Sequence, residues 1–348
     1  MAKIRLGFIG CGFMGQLAHM QNYAQIGDCE IAALAEPKQA QAGRVAAAYG
    51  IPGVYADYRR LLADPSIDAV VAAQQFPNHV NIVPEILAAG KHLLTEKPLC
   101  VYAENGRRLA DAARAAGKIH MVGYHKRSDP ATEYALEVIN GWKSSGKAGK
   151  MKYVRITMPP GDWVGGSRPP LMTDEPSTGF EPEAAPPGIG EGFAAEYVSF
   201  VNYYIHQVNL LRFLLGEDYS LVFADKPGVL LVAQSAGGVT GVIEMAPYMT
   251  TDDWQEQALV CFEKGWVRVD LPAPLASQQA GKVTVFDNSS AAGCATSPRL
   301  PNTHAMLNQA RNFIKAVKGE KPAPCESFEA VKDLEVSMAY IKMLHTAL

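Results

Sequence analysis

Three glycines, Gly10, Gly12 and Gly15, separate an apolar run over residues 4–9 from a helix-like run over 15–26. A G-x-G-x-x-G spacing placed between a strand and a helix admits few folds. The first glycine permits a tight turn and the second lets backbone approach a pyrophosphate. The third lets helix and strand pack closely, and the helix N-terminus then faces the phosphates. Elsewhere such a triplet could be an ordinary turn, but here the context is the one the motif needs.

The alternation continues as the glycines predict. Further strands are expected over 29–35, 69–73, 91–95 and 119–122. Helices are expected over 38–49, 84–89 and 104–116, stopped by Gly50, Gly90 and Gly117. Alternating strands and helices imply a doubly wound parallel sheet covered on both faces. After Gly123 the pattern changes. A helix over 129–142 starts with Asp129 as N-cap and Pro130 at the first helical position. Strands follow over 151–158, 228–233, 238–245, 257–262 and 266–271, the last two joined by a hairpin turn at 263–265, and helices close the chain over 305–317 and 328–344. The expected architecture is therefore α/β: a Rossmann domain at 1–123, then an α/β domain at 124–348 with a large, mostly antiparallel open sheet. Residues 159–192 are dense in proline and glycine. A long segment of that kind reads equally as a lid or binding loop and as a surface excursion or oligomer arm.

Composition narrows the class. With 348 residues, 48% hydrophobic and 19% charged, the chain has enough apolar residues for a sizeable core. A net charge of -3 leaves no basic footprint for nucleic acid. No signal-peptide pattern and no membrane-length apolar run is visible, so a cytoplasmic location is expected. The six cysteines include no C-x-x-C pair, which leaves no zinc ribbon or dithiol site to expect, and no metal is assigned.

Candidate site residues cluster where the sheet's carboxyl edge should be. Glu36 ends the second strand about 20 residues past the glycines, where an acid bonds the adenosine ribose. Its charge repels a 2′-phosphate, so NAD is expected over NADP, although Lys38 could reach a phosphate. Phe76-Pro77-Asn78-His79 follows the third strand and suits either the nicotinamide side of the site or a plain turn. Lys97, in Thr95-Glu96-Lys97-Pro98, stands at the end of a buried strand. Lysines are usually solvated, but this placement suits work on a substrate hydroxyl. In the greasy run from Val201 to Leu215, Asn202, His206 and Asn209 share one helical face. A lone histidine there is more often structural; three polar side chains on one face favour a site. His125-Lys126-Arg127 could orient a hydroxyl-rich or anionic substrate, or be a solvated linker.

Gly10-Cys11-Gly12-Phe13-Met14-Gly15, Glu36-Pro37, Ala89-Gly90-Lys91-His92 with Glu96-Lys97-Pro98, and His206 with Leu210 to Gly216 together resemble the glucose–fructose oxidoreductase/inositol dehydrogenase family (Gfo/Idh/MocA). The resemblance spans nearly the whole chain and is looser in its second half. It implies oxidation or reduction of a secondary alcohol on a sugar or cyclitol, in a homodimer or homotetramer. It implies that Lys97 and His206 are the catalytic pair. The whole glycine loop, Glu36, Pro77, Asn78, Glu96 and Lys97 are expected to hold the cofactor. His125, Lys126, Arg127, Asn202, Tyr203 and His206 are expected to meet the substrate. The chain departs from the family pattern at Asn202 and Asn209, where aspartates are usual, and at Asn81, where a histidine is frequent. An aspartate at 202 would steady a histidine base; in a serine-protease triad the corresponding swap costs about 10⁴ in rate. Support for His206 is then expected from Glu191 or Glu196, or from Tyr203 or Tyr204 sharing the proton work. Two other readings stay open: a redox glycosidase that oxidises its sugar only transiently, and a non-catalytic NAD-binding sensor.

Overall fold

A computed structural model describes residues 3–176, 180–186, 189–245, 253–290 and 292–345. The chain divides into two compact units: 1–124 with 167–194 and 309–334, and 125–166 with 195–308 and 335–348.

In the first unit, β1 (Ile4–Ile9) leads through the glycine loop into a π-helical segment, Gly15–Met20, that continues as α1 (Gln21–Tyr23). There follow β2 (Cys29–Ala35), α2 (Gln39–Tyr49), β3 (Gly53–Tyr55), α3 (Tyr58–Leu62), β4 (Ala69–Ala72), α4 (His79–Ala88), β5 (His92–Thr95), α5 (Ala103–Ala116) and β6 (His120–Val122). All six strands pair in parallel in the order β3-β2-β1-β4-β5-β6. The order reverses at β1 and β4, so a ligand crevice is expected beyond their carboxyl ends. Strand residues such as Phe8, Leu34, Val71 and Leu94 are fully buried, as a sheet covered on both faces requires. Phe313 and Ile314 pack into the same core.

Three expectations change here. Helix α4 starts at His79, five residues before the Pro84 expected to open it, and carries Pro84 inside. Its first turn is prepared by a single 3-10 turn, Phe76–Asn78, that the Pro77 dihedral suits. Strand β3 and helix α3, of 3 and 5 residues, were not expected at all.

The second unit begins with a 3-10 turn, His125–Ser128, and α6 (Pro130–Ser145). Asp129 caps α6 as expected, accepting the Ala131 N–H at 2.8 Å. Then come β7 (Met151–Thr157), α7 (Glu191–Leu215), β8 (Tyr219–Ala224), β9 (Leu230–Ser235), β10 (Thr240–Glu244), β11 (Glu256–Phe262), β12 (Gly265–Leu271), β13 (Lys282–Asp287) and β14 (Cys294–Thr296). The closing helices α8 (Ala305–Val317) and α9 (Ser327–His345) are divided, their residues 309–317 and 327–334 belonging to the first unit. The eight strands form one sheet, β14-β13-β12-β11-β7-β10-β9-β8, in which only the β7–β10 pair is parallel among the described residues. β11 and β12 form the expected hairpin, Phe262 pairing with Gly265. β8, β13 and β14 were missed in the sequence. Part of the strand expected over 238–245 stands as β10, and residues 246–252 lie outside the described residues.

Candidate functional site

In the first unit the glycine loop has the shape its spacing implies. Gly10 sits at φ +91°, and a Cβ there would lie 2.4 Å from Gln74 Nε2. A Cβ on Gly15 would come within 2.9 Å of the Gly10 carbonyl, which is the close strand–helix packing of the third glycine. At Gly12 a Cβ would meet nothing within 4 Å, so the backbone is open to a pyrophosphate. The residues present thus fit a dinucleotide. Glu36, at the end of β2, accepts the N–H of Cys11 at 3.1 Å and of Lys38 at 3.1 Å, which ties the end of β2 to the glycine loop. Burial, with the Glu36 charge adding to it, pushes the Cys11 thiol up to about 12, so Cys11 contributes its amide and not a thiolate. All six cysteines are free thiols. Phe13 is exposed and Met14 half-buried on the same loop.

At the carboxyl end of β5, Glu96 is buried and takes the His19 Nε2 proton donor at 2.7 Å. It also accepts the Lys97 N–H at 3.2 Å. Burial by itself raises the Glu96 carboxyl, but the His19 hydrogen bond and the charges of His19 and Lys97 hold it below its usual range. Glu96 is therefore an anion that fixes helix and strand around a half-buried Lys97. Beneath this turn lie two neutral histidines. His79 donates from Nδ1 to the Leu99 carbonyl at 2.9 Å, and His120 shares a hydrogen bond with Thr95 Oγ1 at 3.0 Å. Burial lowers both, His120 to about 3. Pro77 and Asn78 form the half-buried turn after β4.

Neither His19 nor His120 was singled out from sequence, and His79 was named only as the last residue of the Phe76–His79 run. For His19 a signal existed: it lies four residues past Gly15, one helical turn along, facing back to the strand ends.

In the second unit the solvated-linker reading of 125–127 fails: His125, Lys126 and Arg127 are each no more than 4% exposed. Lys126 pairs with the fully internal Glu256, which also accepts from Gln207 Nε2 at 2.7 Å. Arg127 donates from Nε to Asn209 Oδ1 at 2.6 Å and lies over the Phe213 ring at 4.5 Å. These two cations are held by protein partners and lock the turn that carries His125. His125 meets His206 edge to face, ring centres 4.6 Å apart.

Along α7, His206 and Tyr203 are half-buried, Asn209 is buried and Asn202 is exposed. The support expected from Glu196 goes elsewhere, since its carboxylate binds His345 Nε2 at 2.6 Å. Glu191 is exposed in the first turn of α7. Burial raises the phenol of Tyr203, and raises Tyr204 to about 12. Either tyrosine is therefore a proton donor at neutral pH. Tyr204 spends its proton on the Met245 carbonyl at 3.2 Å. A cavity of about 830 Å³ opens along this helix, lined by Trp163, Phe200, Tyr203, Tyr204 and Tyr340 among others. Such aromatic faces can stack on the apolar face of a ring substrate.

Comparison with known proteins agrees with the first unit. Residues 4–124 match the family model GFO_IDH_MocA, an oxidoreductase family with an NAD-binding Rossmann fold. The chain is 26% identical over 239 residues to a myo-inositol 2-dehydrogenase of Thermotoga maritima, covering 67% of this chain and 61% of that protein. It is 26% identical over 347 residues to an inositol 2-dehydrogenase of Rhizobium meliloti, covering 92% of this chain and 91% of that one. An oxidoreductase domain protein from Kribbella flavida superposes with a TM-score of 0.76 at 20% identity, over 99% of this chain and 97% of that one, which shows a shared fold. Against the first curated relatives the match spans only about three-fifths of their length, 61% and 57%. Among the described residues no helix is long and apolar enough to cross a membrane. The glycine loop, the parallel sheet and the family match agree over residues 4–124, which have the NAD-binding Rossmann fold that the GFO_IDH_MocA oxidoreductase model describes.

Proposed function

We propose that this protein is an NAD-dependent oxidoreductase acting on a secondary alcohol of a sugar, glycoside or cyclitol. The observation that carries the reading is Lys97, half-buried at the carboxyl end of β5 and fixed by the buried Glu96–His19 pair in a sheet whose glycine loop is open at Gly12. The dinucleotide would be held by the loop from Gly10 to Gly15, by Glu36, and by the turn at Pro77 and Asn78. When bound, its nicotinamide supplies the hydride acceptor or donor. Lys97 would donate a hydrogen bond to the reacting oxygen and stabilise developing alkoxide. His206 would take or return the hydroxyl proton. His125 would orient that ring, and Tyr203, on the aromatic cavity, would face the sugar. The inositol dehydrogenase relatives support a polyol or cyclitol substrate, and Glu36 supports NAD over NADP. The family's open-sheet dimer or tetramer is part of this reading.

Absorbance at 340 nm, with NAD and a panel of inositols, free sugars and glycosides, tests it. NADH accumulation with at least one polyol is expected; none with any compound would contradict it. A second reading, the redox glycosidase, is favoured by the exposed Asn202 in place of a buried acid beside His206. It predicts aglycone release without net NADH in the same assay.

A further inference from the structure

Residues 167–186 belong to the dinucleotide-binding unit, yet no part of the proposed reaction uses them. Their described anchors follow the carboxyl edge of the parallel sheet. The Leu171 N–H donates to Gln16 Oε1 at 2.8 Å, and the Leu171 carbonyl accepts from Gln16 Nε2 at 2.9 Å. The Thr173 N–H donates to Gln41 Oε1 at 3.3 Å. Farther on, the Glu183 N–H donates to the Pro77 carbonyl at 2.9 Å. The Glu183 carboxylate accepts the N–H of Val101 at 2.7 Å and of Tyr102 at 3.0 Å, at the start of α5. Each target lies just past a strand end, on the edge where this fold takes its ligand.

The contact nearest the ribose position is made by Glu175. Its carboxylate accepts the N–H of Ala40 at 3.0 Å and of Gln41 at 2.9 Å, and the Thr173 hydroxyl at 2.8 Å. These are the second and third residues of α2, whose N-cap, Lys38, makes no side-chain cap. Glu175 caps the helix from 134 residues away.

We propose that Glu175 is a cofactor-specificity residue: its carboxylate fills the anion position beside Glu36 and excludes a dinucleotide carrying a 2′-phosphate. The proposal rests on the reading that this unit binds a nicotinamide dinucleotide. The amides of Lys38, Ala40 and Gln41 are all taken by carboxylates of this chain, Glu36 for the first and Glu175 for the other two. A 2′-phosphate arriving there would find the helix amides occupied and two negative charges facing it. Lys38 could otherwise draw a phosphate in, but Glu175 answers its charge. The Glu175 carboxyl is held below its usual range first by the Ala40 and Gln41 amides, then by Thr173, with Lys38 a smaller cause. Unlike Glu36, which adjoins the ribose in sequence, Glu175 reaches this position only through the fold.

The test is fluorescence titration of the full chain with NAD and with NADP, for wild type, Glu175→Gln and Glu175→Ala. Glu175→Gln keeps an oxygen for the α2 amides and preserves the cap. In both variants the ratio of NADP to NAD dissociation constants should fall about tenfold, roughly the worth of one charge at a helix end, through tighter NADP binding. Unchanged NADP affinity in Glu175→Gln, with wild-type preference for NAD intact, overturns the proposal and leaves the proposed function standing. Wild-type protein that binds neither nucleotide overturns the proposed function as well. Wild-type preference for NADP overturns both the NAD assignment and the role of Glu175.

Discussion

At the carboxyl edge of the first unit, apart from the buried Glu96 anion, the polar work is done by backbone amides, two carboxylates held by them, and rings kept neutral, whereas the second unit buries a lysine and an arginine as well as a carboxylate. Glu36 and Glu175 sit on amides at the start of α2, and His79 and His120 are buried uncharged. In the second unit Lys126 and Glu256 are 4% and 0% exposed, and Arg127 is 3% exposed. A site made of backbone can bind a ligand common to many proteins and tolerate much side-chain change. A site braced by buried ion pairs is committed to its own side chains, since each charge is tolerable only while its partner is present.

The comparison breaks first at Lys126. Lys126→Met leaves Glu256 buried and charged with only Gln207 against it, and should cost about 3–5 kcal/mol in urea unfolding. The double variant Lys126→Met/Glu256→Gln should recover most of that loss, because the stranded charge is gone. By contrast, Arg108→Ala, which removes the exposed i,i+4 pair with Glu104 on α5, should change stability by about 0.5 kcal/mol or less. Equal effects at Lys126 and Arg108 would remove the distinction between the units.

A smaller effect comes from pH. His120 falls from 6.5 to about 3 in the folded state, so between those values the unfolded chain binds more protons than the folded one. Its contribution is complete above 6.5 and is lost as pH falls, by about 2 kcal/mol at pH 5. Asp129 in the second unit has the opposite sign. Burial raises it to about 6, so its contribution falls as pH rises from 3.8 towards that value. His120→Asn should therefore show a shallower loss of Tm than wild type between pH 7 and 5. Parallel melting curves for the two proteins would mean that His120 is charged in the fold.

What could be read from the sequence divides along the same line. Gly10 to Gly15, Glu36 and Glu96-Lys97 announce themselves because strand, loop and helix are neighbours in sequence and each residue's job is local. β3 and α3 are too short to show a period. β8 has no clean alternation, with the four residues between its buried ends partly or fully exposed. The pairing of Lys126 with Glu256 spans 130 positions, and nothing near Lys126 distinguishes it from a solvated lysine. Glu175 and Glu183 look in sequence like ordinary acids in a proline-rich segment. Only the folded chain brings them to helix starts more than 75 residues away. On α7 the shared face was legible, but not which of its members is exposed: Asn202 is, whereas Asn209 is spent on Arg127.

The account turns on Lys97, and single-turnover kinetics with saturating NAD on Lys97→Ala tests it most directly, using whichever polyol gives NADH with the wild type. NAD should bind within about threefold of wild type, because the glycine loop and Glu36 are untouched, while hydride transfer falls by about 10²–10⁴. Full turnover in Lys97→Ala at unchanged NAD affinity would contradict the assignment of Lys97 to the reacting oxygen.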